Sequence, residues 1–299
     1  MKRGVIIVNP ISGGHRRKNG VVSGLIGELE KANIESLVRY TTGRGDATQF
    51  AQEAARDCYD FVVAVGGDGT VHEVANGLVH TETALAIIPM GSGNGLARSL
   101  GVPVELKAAH RLVASGRVAA MDAGKVNDRH FFLLLGLGFD ALVSSEFDKS
   151  KVRGPLPYFY LGVREFTHYK PTPLKLSFDS QTREVEPFIF VVANGQQYGN
   201  NAFIAPHAKL DDGLFEVGVI HHLTLSDMPE AMVRLFSGKI ADFGKVEFYR
   251  TSELTIERQD EAPINVDGEP VKAPKRLFVS IEPKALKVIV PRKSPGLLA

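Results

Sequence analysis

Through the first 120 residues, short apolar runs alternate with stretches of helical period. "GVIIV" (4–8) has the continuous apolar character of a strand buried on both faces. Val21, Val22, Leu25, Ile26 and Leu29 then recur at helical spacing. "ESLVRY" (35–40) predicts a second strand and "DATQFAQEAAR" (46–56) a second helix, with Asp46 as its N-cap. "FVVAV" (61–65) predicts a third strand. The helix after it opens with Thr70 and Glu73 in capping-box spacing and carries Val71, Val74, Ala75 and Leu78 on one face. "TALAIIP" (83–89) predicts a fourth strand, and "GSGNGLARSLG" leads into another helical stretch. Strands and helices in this alternation predict an α/β N-terminal domain, its parallel sheet covered on both faces.

After about residue 120 the rhythm changes. "HFFLLLGLGF", "LKLSFD", "EPFIFVVAN", "LFEVGVIHHL", "SELTIER", "APINVDGEPV" and "LFVSIEP" are strand-like runs separated by Asn, Asp, Gly and Pro. They predict a mainly antiparallel β-sandwich C-terminal domain with one helix at 157–168. "ALKVIV" adds a short strand before a loose tail. The expected domains are 1–122 and 123–299, with the final strand and tail free to pack back on the first. No internal repeat or low-complexity segment interrupts them. A cleft between two domains is a common place for a ligand.

Charge and cysteine usage narrow the function classes. Lys and Arg total 35 against 34 Asp and Glu, so bulk positive charge for nucleic acid is missing. The single cysteine, Cys58, cannot form an internal disulfide and fits a reducing compartment. Just ahead of the third strand, it is expected to be a buried, inert thiol. The apolar run in "MKRGVIIVNP" is too short for a secretory signal. The longest uncharged apolar stretch, "FFLLLGLGF" (131–139), is about half of a membrane span. The expectation is a soluble, cytoplasmic protein that touches a membrane only peripherally.

Three glycine-bearing turns end strands on one sheet edge: "NPISGG" (9–14), "GGDGT" (66–70) and "MGSGNG" (90–95). Ligands of α/β sheets bind beyond the carboxyl ends of the strands. A bare backbone feeding a helix lets N–H groups close on a phosphate. Gly66, Gly67 and Gly69 permit that approach, while Asp68 puts a carboxylate at the mouth and calls for a divalent cation or a ribose hydroxyl beside it. Strand-to-helix turns need glycine in any case, so it is the recurrence that carries the reading. The P-loop pattern G-x-x-x-x-G-K-[ST] is missing, and "GSGNGL" has Leu96 where a dinucleotide fingerprint needs its third glycine.

"NPISG", "TTGRGDAT", "VGGDGTVHEVANGL", "IPMGSGNGLARSLGVP", "AKLDDGLFEV" and "NVDGEPV" stand in the order and spacing of the diacylglycerol kinase catalytic-domain family. The chain resembles that family, which takes in bacterial lipid kinases, sphingosine kinases and ceramide kinases, over nearly its whole length. The GGDGT turn alone is shared with NAD kinases. The resemblance implies that Asn9, Pro10, Ile11, Ser12, Gly13, Thr41, Gly66, Gly67, Asp68, Gly69, Thr70, Val71, His72 and Ser92 line an ATP site. It implies that Asp267 is the catalytic base toward the attacking lipid hydroxyl, supported by Glu269. It places a structural magnesium site at Lys209, Asp212 and Leu214, where Lys209 and Leu214 contribute carbonyls, and a charged network at Arg98 and Asp122. Read without the resemblance, "VDGE" is equally a type I′ hairpin turn, "KLDDG" a solvated turn, and Glu73 only a capping partner.

One position departs from the family's common form. Many diacylglycerol kinases have Asn-Asp after the glycine turn, whereas Asn94 is followed by Gly95, as in the sphingosine and ceramide kinase branch. The function implied is transfer of the γ-phosphoryl group of ATP, with Mg²⁺, to a lipid alcohol. A lipid acceptor calls for peripheral contact with the inner membrane face. The segment 149–170 mixes Lys149, Lys151, Arg153 and Arg164 with Phe159, Tyr160, Leu161 and Phe166, as an interfacial element does. A helix packed on the sandwich reads equally well. The alternatives are an NAD kinase-like enzyme with a soluble acceptor and a nucleotide- or lipid-binding protein without turnover. No motif specifies the acceptor lipid or the oligomeric state, a dimer included.

Overall fold

The order of the first four strands, β2-β1-β3-β4, sets the frame of the molecule: β1 (Arg3–Val8), β2 (Glu35–Tyr40), β3 (Phe61–Gly66) and β4 (Ala84–Pro89) run parallel. The structure, a computed structural model, describes residues 2–11, 15–139, 141–142 and 169–298, and of residues 15–19 the backbone alone. The chain divides into two compact units. One comprises Met1–Ala123, Leu210–Asp212 and Pro283–Ala299, the other Gly124–Lys209 and Gly213–Glu282.

Helices α1 (His15–Lys31), α2 (Asp46–Arg56), α3 (Asp68–Leu78), α4 (Gly95–Ser99) and α5 (Leu106–Ser115) complete the first unit. β3 and β4 are buried at every position, as strands covered on both faces must be. Ile6, Val8, Val63 and Val65 pack with Leu25 and Leu29 of α1 and with Ala109 and Val113 of α5. α2 and α3 pack on each other closely enough that Gly77 is required. A Cβ there would stand 2.6 Å from Thr48 O and 2.7 Å from Ala51 Cβ. The end of β16 (Arg276–Val290) joins this sheet, with Val288 beside Leu85 of β4.

Sequence pattern and structure agree on β2 and α2 to the residue, and differ in four local details. Asp46 does not cap α2. Its Oδ2 accepts from Thr42 N–H (2.7 Å), Thr42 Oγ1 (2.8 Å) and Gly43 N–H (3.0 Å), which holds the preceding turn while left-handed Gly45 takes the cap position. Those bonds, the Thr42 N–H first, hold the Asp46 carboxyl below its ordinary pKa. α3 begins at Asp68, so Thr70 lies inside its first turn and is not an N-cap. Cys58 is exposed, not buried. It ends α2 in a left-handed conformation (φ 55°), with its N–H on Ala55 O and the Tyr59 N–H on Ala54 O, the pattern of a Schellman cap. The helical stretch after strand four is two helices, α4 and α5, and Glu105 caps the second through Lys107 N–H and Ala108 N–H.

β5 (Arg117–Val126) runs out of the first unit into the second and pairs with β16 and with β6 (Arg129–Phe131). The second unit is the antiparallel sandwich that the sequence predicts. One layer has the order β12 (Val246–Thr251), β11 (Phe215–Ile220), β10 (Ile189–Ala193), β7 (Leu134–Gly138), β14 (Ala262–Val266), β15 (Glu269–Ala273). The other has β13 (Glu253–Arg258) between β8 (Leu174–Phe178) and the first half of β16, with β9 (Gln181–Val185) outside β8. Leu135, Leu137, Phe190, Val192, Phe215 and Val217 of the first layer meet Leu174, Leu176, Leu254, Ile256, Leu277 and Val279 of the second in one core. Two runs expected as separate strands, "LFVSIEP" and "ALKVIV", are the single strand β16. Its irregular point, Lys284 at φ 54°, donates its N–H to Asp122 Oδ1 at 2.7 Å. The pattern did not predict β5, β9, β12 or α6 (Met228–Phe236), and the predicted helix at 157–168 lies outside the described residues.

Candidate functional site

In a parallel sheet of order β2-β1-β3-β4 the winding reverses between β1 and β3, which opens a crevice at their carboxyl ends. Asn9 spans that crevice. Its main-chain N–H donates to Val65 O (3.2 Å) and its Nδ2 to Thr70 Oγ1 (3.0 Å), while its Oδ1 accepts the Ile11 N–H (3.0 Å). The loop after β1 is thereby fastened to the first turn of α3. Pro10 is half-buried and Ile11 projects into solvent; Ser12 and Gly13 lie outside the described residues. Thr41, at the end of β2, is buried and donates its N–H to Val8 O at 2.9 Å.

The next two glycine turns touch each other through main chain. A Cβ on Gly91 would stand 2.8 Å from Gly67 Cα, and one on Gly66 would stand 2.5 Å from Thr70 Cβ. Close approach, to backbone between Gly67 and Gly91 and to the Thr70 side chain at Gly66, is therefore what these glycines serve first. Asn94 closes the second turn on itself: Oδ1 accepts the Gly91 N–H (2.9 Å) and Nδ2 donates to Gly91 O (2.8 Å). Asp68 joins the two turns, accepting the Asn94 N–H (2.9 Å) on Oδ2 and the Gly95 N–H (2.7 Å) on Oδ1. Gly69 and Ser92 are exposed and His72 half-buried, whereas Thr70 and Val71 are buried, so Val71 offers a ligand main chain only. No side chain caps α3 at Gly67, and the positive end of that helix favours a ligand anion at this edge.

In the second unit Asp267 and Gly268 form the two-residue turn between β14 and β15, at φ 49° and 92°. Two positive φ values make it the type I′ turn that Asp-Gly favours. The Asp267 side chain does more than turn the chain. Oδ2 accepts the Phe132 N–H at 2.7 Å, and Oδ1 accepts the N–H groups of Leu133 and Leu134, both at 2.9 Å. The Asp267 N–H donates in turn to Leu134 O (3.0 Å), and Asn265 Oδ1 accepts the Gly268 N–H (2.8 Å). Three main-chain N–H donors fix the carboxylate in one orientation. Glu269 is half-buried at the start of β15 and pairs with Val266.

Lys209 and Leu214 belong to the second unit and Asp212 to the first, with Gly213 between them at φ 73°. A carboxylate and main-chain carbonyls are oxygen donors, the chemistry that suits a hard divalent cation. Arg98 donates Nε to Gly93 O (3.1 Å), bracing the turn that Asn94 closes. Asp122 is buried, donates its N–H to Leu210 O (2.6 Å) and accepts the Lys284 N–H. Asn94 was missed as a site-building residue. The signal was present, since an Asn inside a glycine-rich turn is the residue type that both tolerates φ 51° and hydrogen-bonds its own backbone. Among the described residues no helix is long and apolar enough to cross a membrane. Of the basic and aromatic segment 149–170, residues through 168 lie outside the described residues.

The architecture is a parallel α/β unit with glycine turns along one edge and an antiparallel sandwich bearing an aspartate held by three main-chain N–H groups. The diacylglycerol kinase catalytic domain matches residues 3–126, and the YegS C-terminal NAD kinase beta sandwich-like domain matches residues 134–290. A diacylglycerol kinase of Staphylococcus saprophyticus is 31% identical over 273 residues, covering 90% of this chain and 89% of its own. One from Staphylococcus aureus is 32% identical and covers 90% and 86%. A solved structure from Bacillus anthracis str. Sterne, described as a candidate diacylglycerol kinase, superposes with a TM-score of 0.82 at 26% identity, covering 98% of this chain and 96% of its own. The chain belongs to the diacylglycerol kinase catalytic-domain family, and its relatives make it a kinase.

Proposed function

We propose that this protein is an ATP-dependent lipid kinase that transfers the γ-phosphoryl group to the hydroxyl of a lipid alcohol, diacylglycerol-like or sphingoid-like. The observation that carries the reading is the Asp267 carboxylate, held by three main-chain N–H groups in a chain whose diacylglycerol kinase relatives extend over nine-tenths of it. Phosphoryl transfer needs positioning and charge neutralisation more than covalent help. In this reading the loops at Asn9–Gly13, Gly66–His72 and Ser92, with Thr41, bind the nucleotide, and the amino end of α3 attracts its phosphates. Asp267 orients the lipid hydroxyl and takes its proton as the new P–O bond forms, with Glu269 beside it in sequence as a supporting acid. Mg²⁺ bound with the nucleotide supplies shielding of phosphate charge. Each Asp68 oxygen already accepts an N–H, so any metal contact there is shared with that cap. A second, structural Mg²⁺ fits the oxygen donors of Lys209, Asp212 and Leu214.

The acceptor lives in a bilayer, so we place the enzyme's work at the cytoplasmic membrane surface, with the basic and aromatic run 149–170 as its contact. Labelled ATP offered with a panel of lipid alcohols and with NAD tests the reading. Label should appear in a phosphorylated lipid and not in NADP. Asp267→Asn should lower that rate at least about 100-fold with ATP binding retained, at some cost in stability because its amide nitrogen must face an N–H donor. Transfer to NAD alone, or no transfer at all, would overturn the reading.

A further inference from the structure

We infer that Asn194 is a positioning residue for Asp267, a reading that rests on the base role proposed above. Asn194 follows β10 directly and is 0% exposed. Its Nδ2 donates to Phe132 O at 2.9 Å. Its main-chain N–H donates to Leu133 O at 2.8 Å, and the Gly195 N–H donates to the same oxygen at 3.0 Å. Phe132 O is an acceptor only, so the nitrogen end of the amide faces it.

The carbonyls gripped by Asn194 and Gly195 share peptide planes with the N–H groups that hold Asp267. A peptide unit is rigid and trans, so fixing a carbonyl fixes the direction of the N–H on its far side. Nδ2 on Phe132 O therefore aims the Leu133 N–H, which reaches Asp267 Oδ1 at 2.9 Å. The two main-chain donors on Leu133 O likewise aim the Leu134 N–H, which reaches the same Oδ1 at 2.9 Å. β7 begins only at Leu134, so no strand ladder sets the plane between Phe132 and Leu133. The Asn194 side chain sets it. The carboxylate is thereby aligned from behind by a residue 73 positions away in sequence, in a different strand connection.

Asn194→Ala removes the side-chain bond and keeps both main-chain bonds; Asn194→Asp keeps the shape and replaces the donor by an acceptor. Two measurements on the full-length protein decide the matter. Amide hydrogen exchange at Leu133 needs no substrate and should accelerate about tenfold in both variants, with the amides of β10 and β11 unchanged. Steady-state phosphorylation of a lipid alcohol should lose about 10- to 100-fold in kcat, with KM for ATP within about twofold. In an Asp267→Asn background the same Asn194→Ala change should cost no further rate, because the group it positions is already disabled. Unchanged exchange at Leu133 overturns the inference whatever the acceptor. An equal loss of kcat in both backgrounds overturns it too, since a merely structural role would act on either. Near-normal turnover in Asp267→Asn alone overturns the base role and this inference with it.

Discussion

Asp68 closes the amino end of α4: its Oδ1 accepts the Gly95 N–H at 2.7 Å, across 27 residues of sequence. With the Asn94 N–H on Oδ2, the carboxylate of the GGDGT turn satisfies two leading donors of a five-residue helix that could not sustain itself. Asp68 brings its carboxylate to this main chain from the neighbouring glycine turn. Asp68→Ala is expected to destabilise the first unit by about 1–2 kcal/mol, and Asp68→Asn, which keeps one acceptor, by less. Scanning calorimetry reads the difference; an unshifted transition in Asp68→Ala would remove the capping role.

Gly91→Ala is expected to damage folding and nucleotide binding together. Its Cβ would lie 2.8 Å from Gly67 Cα and 3.0 Å from Asn94 Oδ1, with backbone on one side and a closed turn on the other. Overpacking of this kind costs about 1–3 kcal/mol, and the shift it forces in the two turns should raise KM for ATP about tenfold. Gly27→Ala in α1, where a Cβ meets nothing within 4 Å, is the control. It should stabilise by up to about 1 kcal/mol through helix propensity. Equal behaviour of the two variants in ATP titrations would sink the close-approach argument.

Cys58→Gly should stabilise the protein. Cys58 occupies the left-handed position of a Schellman cap at φ 55°, fully outside the core. Glycine carries no Cβ penalty there, and the gain should be about 0.5–1 kcal/mol, seen as a higher melting temperature. Cys58→Val should lower it.

His110 is expected to set part of the acid limb of stability. It is buried on α5 beside Gly24 of α1, and its Nε2 has no hydrogen-bond partner among the described residues. Burial pushes its pKa below the ordinary 6.5, against the pull of Glu28 and Glu105. The unfolded chain therefore takes up a proton more readily than the native one. Stability is full above about pH 6.5 and is lost as pH falls toward the lower native pKa. His110→Leu should flatten that loss between pH 7.5 and 5.5 in melting curves, without lowering stability at pH 7.5. An acid limb as steep as in the parent would exclude His110 as its source.

How much could be read from the chain depends on how far each residue's partners lie. Glu35–Tyr40 and Asp46–Arg56 appear with the predicted bounds, because apolar period and turn residues act over a few positions. The Asp267–Gly268 turn was legible for the same reason, and so were the glycine turns that follow β3 and β4. Asp46 and Thr70 were misassigned as caps although their partners are local, since pattern alone does not say which of two neighbouring residues takes the non-helical φ.

The rest was decided by tertiary structure. The oxygens of Asp267 find Phe132 across 135 residues, and Asp122 finds Lys284 across 162. No window of sequence contains both members of such a pair. The joining of two strand-like runs into β16 belongs with them, being set by the strands on either side. Sequence alone determined the strands and helices of strongest period, the sheet type and the family, because these follow from local propensity and spacing. Which main-chain donors hold Asp68 and Asp267 was fixed only when distant segments packed, since a buried N–H takes whatever acceptor the fold brings to it.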